Sequence, residues 1–418
     1  MKIVVAIDSF KGSLSSIEAG MAAKEGILKA HPDADVIVKP LADGGEGTTD
    51  ALITGLGGER IDLTVTGPFG TPVNAHYGYL AEKNTAIIEM AAAAGIILVK
   101  ESEKNPLTAT TYGVGEMIAD AMERGIRNFI IGIGGSATND GGIGMLQALG
   151  AEFLDEGGKQ VPFGAKGVEK LAAINCEHIL FELKDCDFRI ACDVDNPLCG
   201  ENGCSHIFGP QKGATPKMAE QMDQWMEKYA QLTAKYFQEV KKLSADVAWN
   251  PVDSGENYDS DYPGCGAAGG LGFAFRAFLH GKLEPGINIV LEEIGIESAI
   301  KDADIVITGE GCLDGQTVMG KAPIGIARLA KKYGKLVIAF SGAVTEDAAA
   351  CNQAGIDAFF PILRQVTTLE AAMSPATAIR NMTAAVEQTF RLLKMSFIYG
   401  KEFKMYSVSP LDFSHKQE

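Results

Sequence analysis

Three observations predict an α/β fold built around a parallel sheet. Short β-branched runs such as "KIVVAID" (2–8) and "ADIVITGEG" (303–311) alternate with stretches whose apolar residues recur at helical spacing. Polar, glycine-rich segments follow several of these runs, where a strand would hand over to a helix. The alternation is regular at both ends of the chain and lapses between them. Together they predict a doubly wound, Rossmann-like domain made from both chain ends, with a second, mixed α/β domain inserted into it.

Each element has its own signal. "KIVVAID" is the first strand, and Leu14 to Leu28 is amphipathic at helical spacing. "ADVIVKPL" (34–41) is the second strand, and "ADGGEGTTDALITGL" (42–56) is a polar loop entering another helix. From about Ile61 the texture changes. "IDLTVTGPFGTPVNAHYGYL" (61–80) and "TAIIEMA" (85–91) alternate and turn like antiparallel strands, punctuated by Gly-Pro and Thr-Pro. Met117, Ile118, Ala121 and Met122 mark a helix before the strand "NFIIGI" (128–133). "FRIACDVDNPLCG" (188–200) is a strand ending in acids and a turn, and Lys217 to Leu243 a long polar-faced helix. "PGCGAAGGLGFAFRAFL" (263–279) is a second glycine-rich helix entry.

Alternation returns near Ala303. The helix Ile324 to Lys332, the strands "KLVIAFSG" (335–342) and "DAFFPIL" (357–363), and a closing helix from Ala376 to Lys394 follow. The expected domains are therefore 1–61 with 290–395, and 62–289. Residues 396–418 show no clear period and are expected to form a C-terminal extension.

Composition bounds the function. Of 418 residues, 46% are hydrophobic and 22% charged, enough apolar material for a buried core. A net charge of −17 argues against nucleic acid, whose phosphates would be repelled. No stretch reaches the apolar length of a membrane helix, and the run Met1 to Ile7 is too short for a signal peptide. A cytoplasmic protein is expected. Eight scattered cysteines do not make a disulfide framework. Cys192, Cys199, Cys204 and His206 lack the close Cys-x-x-Cys pairs of structural zinc, so incidental thiols are expected.

Chemistry concentrates in five loops. "GIGGSATNDGG" (132–142) can aim backbone N–H groups at one point, where a following helix favours an anion. The plainer alternative is a wide turn with Asn139 or Asp140 as helix cap. The others are "DSFKGS" (8–13), "ADGGEGT" (42–48), "CDVDNP" (192–197) and "TGEGCLDGQT" (308–317). In open parallel sheets, ligands bind beyond the carboxyl ends of the strands. These loops carry Asp8, Asp43, Glu46, Asp140, Asp193, Asp195, Glu310 and Asp314, a carboxylate set that suits a hard cation such as Mg²⁺. Lys11, Lys212 in "FGPQKGAT" (208–215) and Lys321 in "GKAP" (320–323) could reach a phosphate or a carboxylate. Taken singly, an Asp before Gly also fits a turn, and Ser13 and Ser15 also fit helix caps. No Walker-type "GxxxxGK[ST]" occurs, and no dinucleotide fingerprint has an acidic ribose reader in place.

With these loops the sequence closely resembles the bacterial glycerate kinase family. "DSFKGSLS", "ADGGEGT", "TYGVGEMI", "GIGGSATNDGG", "CDVDNPLCG", "FGPQKGAT", "AAGGLGFAF", "TGEGCLDGQT" and "GKAPIGIA" carry the match, in family order from Asp8 to about Lys394. The resemblance implies ATP-dependent phosphorylation of D-glycerate with Mg²⁺, giving 2-phosphoglycerate or 3-phosphoglycerate in organic-acid metabolism. It also implies two α/β domains with the active site in the cleft between them. Cys312 stands where the family usually has Arg, and Cys265 where it usually has Ala.

On that resemblance, Lys11 and the amides of the 132–142 loop would neutralise phosphate charge. Asp314 and Glu310 would hold Mg²⁺, and Asp193 would take the hydroxyl proton, with Asp43 the alternative base. Asp8, Ser9, Ser13, Glu46, Gly134, Gly135, Ser136, Thr138, Asn139, Asp140, Asp195, Asn196, Lys212, Gln316 and Lys321 complete the expected binding set. A homodimer is compatible with the sequence; nucleic acid and membrane partners are not expected. Two rivals lack their own signals. An NAD-dependent oxidoreductase acting on a small hydroxy acid would need the missing fingerprint, and a two-lobed solute-binding protein would need export.

Overall fold

The computed structural model describes residues 1–42, 47–243 and 258–403. In chain order its early strands are β1 (Lys2–Val5), β2 (Asp35–Val38), β3 (Glu59–Thr66), β4 (Pro72–Leu80), β5 (Thr85–Glu89) and β6 (Asn128–Gly132). Next come β7 (Glu152–Leu154), β8 (Ala173–Asn175), β9 (Asp187–Ala191) and β10 (Lys282–Glu284). The last are β11 (Ile305–Leu313), β12 (Leu336–Val344) and β13 (Ala358–Pro361). They fall into two compact units, Met1–Lys39 with Glu297–Glu418, and Pro40–Ile296.

The first unit holds a five-stranded sheet in the order β13-β12-β11-β1-β2, with every pairing parallel. Its central strands β1, β11 and β12 are buried on both faces and read as near-continuous apolar runs. Ile3, Val5, Ile305 and Phe340 pack with Ala23, Ile27, Met382 and Val386 in one apolar cluster. The helices Ser16–Ala30 and Pro375–Phe403 supply those last four residues. They approach closely because Gly26 has no side chain: a Cβ there would lie 2.4 Å from the Thr383 carbonyl. The first of these helices starts with a capping box between Ser15 and Glu18. Ser15, not Ser13, is therefore its cap.

From β1 the chain moves one way to β2, whereas β11 to β13 step the other way. The gap between β1 and β11 is thus a topological switch point. The Asp8 N–H donates to the Gly309 carbonyl at 2.9 Å, extending that pairing into the loops.

The second unit holds a six-stranded mixed sheet, β10-β9-β6-β5-β4-β3. β3, β4 and β5 pair antiparallel, as the Gly-Pro and Thr-Pro turns require, while β5, β6, β9 and β10 run parallel. Register aligns Glu89, Gly132, Ala191 and Glu284 in one row across the carboxyl ends of those four strands. A separate antiparallel pair joins β7 and β8. Phe129 and Phe188 stack at 4.8 Å in the core, and Tyr229 of the helix Pro216–Leu243 meets Phe273 edge-on at 5.3 Å.

Two helix ends differ from the sequence expectation. In Ala267–Leu279, Ala268, Gly269 and Gly270 have φ of 53°, 68° and 95°, so regular helix begins only at Leu271. A Cβ on Gly269 would lie 2.1 Å from the Thr138 carbonyl, and that close approach explains the glycine. The closing helix runs to Phe403, past Lys394 and into the expected 396–418 extension. Residues 395–403 contain no proline to stop it, and Gly400 alone is a weak breaker. Among the described residues, no helix is long and apolar enough to cross a membrane.

Candidate active site

In the first unit the switch point gathers two of the five loops. Asp8 ends the β1 extension and is buried, its Oδ1 accepting from the Ser9 N–H at 2.6 Å. Phe10 to Leu14 folds into a tight turn closed by the Leu14 N–H on the Phe10 carbonyl, and Lys11 is exposed on it. Gly311 lies under that turn; a Cβ there would touch the Phe10 Cα at 3.5 Å. Ser13 sits in the same turn, half-buried.

Glu310 and Asp314 converge on shared donors. The Thr317 hydroxyl donates to Glu310 Oε1 at 2.7 Å, and the N–H groups of Gln316 and Thr317 donate to Asp314 Oδ1 at 2.9 Å. Lys321 Nζ lies 3.2 Å from Asp314 Oδ1 and 3.8 Å from Glu310 Oε2. Burial alone would raise the Asp314 pKa, but Lys321 and the Thr317 donors hold it below the usual carboxylate range. Burial alone would lower the Lys321 pKa, and the two acids keep it raised instead. Gln316 contributes its backbone to this loop, and its side chain is exposed.

In the second unit the parallel strands β6 and β9 carry the 132–142 and 192–197 loops at their carboxyl ends. The glycine loop after β6 is tied on both sides. The Ile96 and Ala137 N–H groups bond to Gly135 and Ala94 carbonyls, while the Gly141 N–H reaches the Gly269 carbonyl at 2.9 Å. Asp140 is buried beneath the loop, its Oδ2 accepting from the Thr111 N–H at 2.8 Å and hydroxyl at 2.9 Å. Its Oδ1 takes the Gly142 N–H at 3.1 Å. Burial pushes its carboxyl above the usual range against those hydrogen bonds. Gly142 itself opens the helix Ile143–Ala148, so Asp140 acts through the cap backbone, and Asn139 turns instead to Ser205 Oγ at 3.0 Å.

A pocket of about 340 Å³ opens beside this loop. Ile133, Gly134, Gly135 and Ser136 form one wall, Ala191 to Val194 at the end of β9 another, and Ile96, Phe208, Gln211, Lys212, Ala267 and Ala268 the remainder. Lys212 is 2% exposed and donates to the Thr138 carbonyl at 2.6 Å. Burial pushes its ammonium down to about 8. Asp193 is exposed on the pocket wall, its Oδ1 accepting from the Gly286 N–H at 2.9 Å. Gly286 starts the helix Gly286–Glu293, whose positive end favours a carboxylate there.

The structure thus brings Gly134, Gly135, Ser136, Asp193 and Lys212 to one pocket. Thr138, Asn139 and Asp140 are buried beneath its glycine wall. Asp195 is exposed and Asn196 bonds to the Asn202 carbonyl at 2.9 Å; neither lines the pocket. Asp43 and Glu46 lie outside the described residues. All eight cysteines are free thiols. Among the described residues, no group of three or more His, Cys, Asp or Glu side chains is placed to hold a metal by itself.

Sequence reasoning missed Thr111, which anchors Asp140 twice and accepts the Met145 N–H at 2.9 Å. Its signal was the Thr-Thr pair before "YGVGEMI", which reads as a helix cap but serves a partner 29 residues away. It also missed Glu89, which accepts the Gly47 and Thr49 N–H groups at the start of the helix Thr48–Leu56. One acid closing a strand gave no warning of that contact.

Comparison with known proteins identifies the family. Residues 3–394 match the model of the glycerate kinase family. The chain is 45% identical over 391 residues to glycerate 2-kinase of Escherichia coli (strain K12), covering 92% of this chain and 98% of that protein. It is 43% identical over 399 residues to glycerate kinase of Bacillus subtilis (strain 168), covering 95% and 100%. A crystal structure from Salmonella typhimurium LT2, described as a glycerate kinase 2, superposes with a TM-score of 0.81 at 42% identity. That match covers 96% of this chain and 99% of the other. On the extent of the family match and these identities, the chain belongs to the glycerate kinase family.

Proposed function

We propose that this protein transfers the γ-phosphoryl group of ATP to D-glycerate in the cytoplasm, giving 2-phosphoglycerate. Family membership supports the reaction, and the 45% identical relative named glycerate 2-kinase supports the position. The observation that carries the reading onto this chain is the pocket with Asp193 and Lys212 on its walls. It offers a proton acceptor and a cation to one small hydroxy acid. The oxidoreductase alternative is not supported by the comparisons.

Phosphoryl transfer needs positioning, neutralisation of phosphate charge and a group to accept the hydroxyl proton. Asp193 takes that proton, with its carboxylate oriented by the Gly286 N–H. Lys11, exposed on the turn after β1, would supply a positive charge for the phosphates, as would the N–H groups of the glycine loop. Glu310 and Asp314 fit a magnesium ion that arrives on the nucleotide. Their two carboxylates share the ammonium of Lys321, which lies 3.8 Å from Glu310 Oε2 and 3.2 Å from Asp314 Oδ1. Mg²⁺ usually keeps waters and phosphate oxygens and takes only one or two carboxylates. The ion would supply charge neutralisation at the phosphates.

Incubation with ATP, Mg²⁺ and D-glycerate, followed by phosphorus NMR, tests the reading. The expected product is 2-phosphoglycerate, formed far faster from D- than from L-glycerate. Absence of any phosphorylated glycerate would remove the proposal, and full turnover in excess EDTA would remove the metal.

A further inference from the structure

We propose that the pocket between the glycine loop and β9 takes the carboxylate of the acceptor acid, with Lys212 as its cationic partner. The inference deepens the kinase reading and rests on it. Lys212 is buried, yet its one described hydrogen bond goes to the Thr138 carbonyl. An ammonium has three donors, and a buried one left short of partners is costly. Among the described residues, no carboxylate lies within ion-pair distance of it.

Charge and size select the anion. Of the described residues lining the pocket only Lys212 is cationic, and Asp193 on the same walls is acidic. A single cation matches a monocarboxylate; a triphosphate would meet Asp193 with most of its charge uncompensated. A pocket of about 340 Å³ is at the small end for ligand sites and suits a three-carbon acid. Ile96, Ile133 and Phe208 give it apolar sides that would strengthen the pairing by excluding water. With the carboxylate on Lys212, the acid's hydroxyls are directed toward the other groups of the same pocket, Asp193 among them.

The pairing has a pH signature. The titratable groups around Lys212 are Asp140 under the glycine loop, Cys204 on the helix Cys204–Phe208, and Cys192 and Asp193 after β9. Behind it, Gly213 packs on Lys104, which is paired with Glu101. Burial raises the Cys192 and Cys204 thiols to about 11, so they stay neutral through the range concerned. Lys212 loses its proton near 8 in the free protein, and a carboxylate ligand would hold the proton on.

Calorimetric titration of the wild-type protein with D-glycerate, D-glyceramide and a non-hydrolysable ATP analogue, from pH 6.5 to 9.5, tests this. D-glycerate affinity is expected to fall progressively above about pH 8, approaching tenfold per pH unit. The neutral amide should bind weakly with no such fall, and the ATP analogue should show none. In a Lys212→Gln protein with an unchanged circular dichroism spectrum, D-glycerate affinity should drop about 10–100-fold while the ATP analogue binds as before. A flat D-glycerate profile in an enzyme that phosphorylates D-glycerate overturns the assignment of Lys212 alone. Loss of ATP-analogue binding instead assigns the pocket to the nucleotide. A wild-type protein that neither binds nor phosphorylates D-glycerate overturns both readings.

Discussion

Thr111 holds Asp140 with two hydrogen bonds, from its N–H at 2.8 Å and its hydroxyl at 2.9 Å, across 29 residues of sequence. The same hydroxyl accepts the Met145 N–H, so one threonine joins two helices to the underside of the glycine loop. Asp140 therefore acts as a buried anchor with donors on both oxygens.

Asp140→Asn should expose what that anchor contributes. One carboxylate oxygen becomes an NH₂ group facing an N–H donor, so a buried hydrogen bond is lost and a donor left unpaired. The cost should be about 1–3 kcal/mol, measured by urea unfolding. Removing the negative charge near Lys212 should also lower the pH at which D-glycerate binding fades. An unchanged unfolding midpoint together with an unchanged pH profile would show that Asp140 anchors neither the loop nor the ammonium.

Gly269→Ala should damage the site from behind. The new Cβ would press on the Thr138 carbonyl that receives Lys212, in a backbone with φ of +68°. Left-handed conformation alone costs about 1–2 kcal/mol for a residue with a Cβ. The expected result is a lower melting temperature and weaker D-glycerate binding together. A variant that melts like the wild type would show that the loop yields easily.

Asp193→Asn and Asp314→Asn should fail in different ways. Both changes remove charge while nearly keeping shape. Asp193→Asn should lower kcat by about 10²–10⁴, with no rescue by added Mg²⁺. Asp314→Asn should raise the Mg²⁺ concentration needed and recover partly in excess metal. Rescue of the first variant instead of the second would exchange their roles.

Asp314 also sets an acid limit. Its folded pKa is held down by Lys321 and Thr317, so the stability it lends is complete above the unfolded value. That contribution disappears as pH falls through the lower folded pKa. Asp314→Asn should therefore melt below the wild type at neutral pH and converge with it in acid. A constant gap between the two curves at all pH values would contradict the pairing.

Cys312→Arg should preserve or raise activity. Cys312 lies two residues from both Glu310 and Asp314 on the extended β11 backbone, half-buried at the switch point. A guanidinium there can pair bidentately with phosphate. A large loss of kcat in a folded variant would mean that the loop is built around the thiol.

Much of this protein was legible from the chain alone because its signals are local. Strand and helix runs in "KIVVAID" or "KLVIAFSG" follow from side-chain branching and period, and a parallel sheet from their alternation. Glycines in "GIGGSATNDGG" and "AAGGLGF" marked turns and close approaches for the same local reason. Tertiary structure decided which polar groups meet. Thr111 reaches Asp140, Lys212 reaches the Thr138 carbonyl 74 residues away, and the Gly286 N–H orients Asp193 across 93. It also turned Lys212 from a loop lysine of ordinary spacing into a buried ammonium, because burial is set by elements remote in sequence. Periodicity determines which face of an element is apolar; sheet order and register determine what stands opposite it.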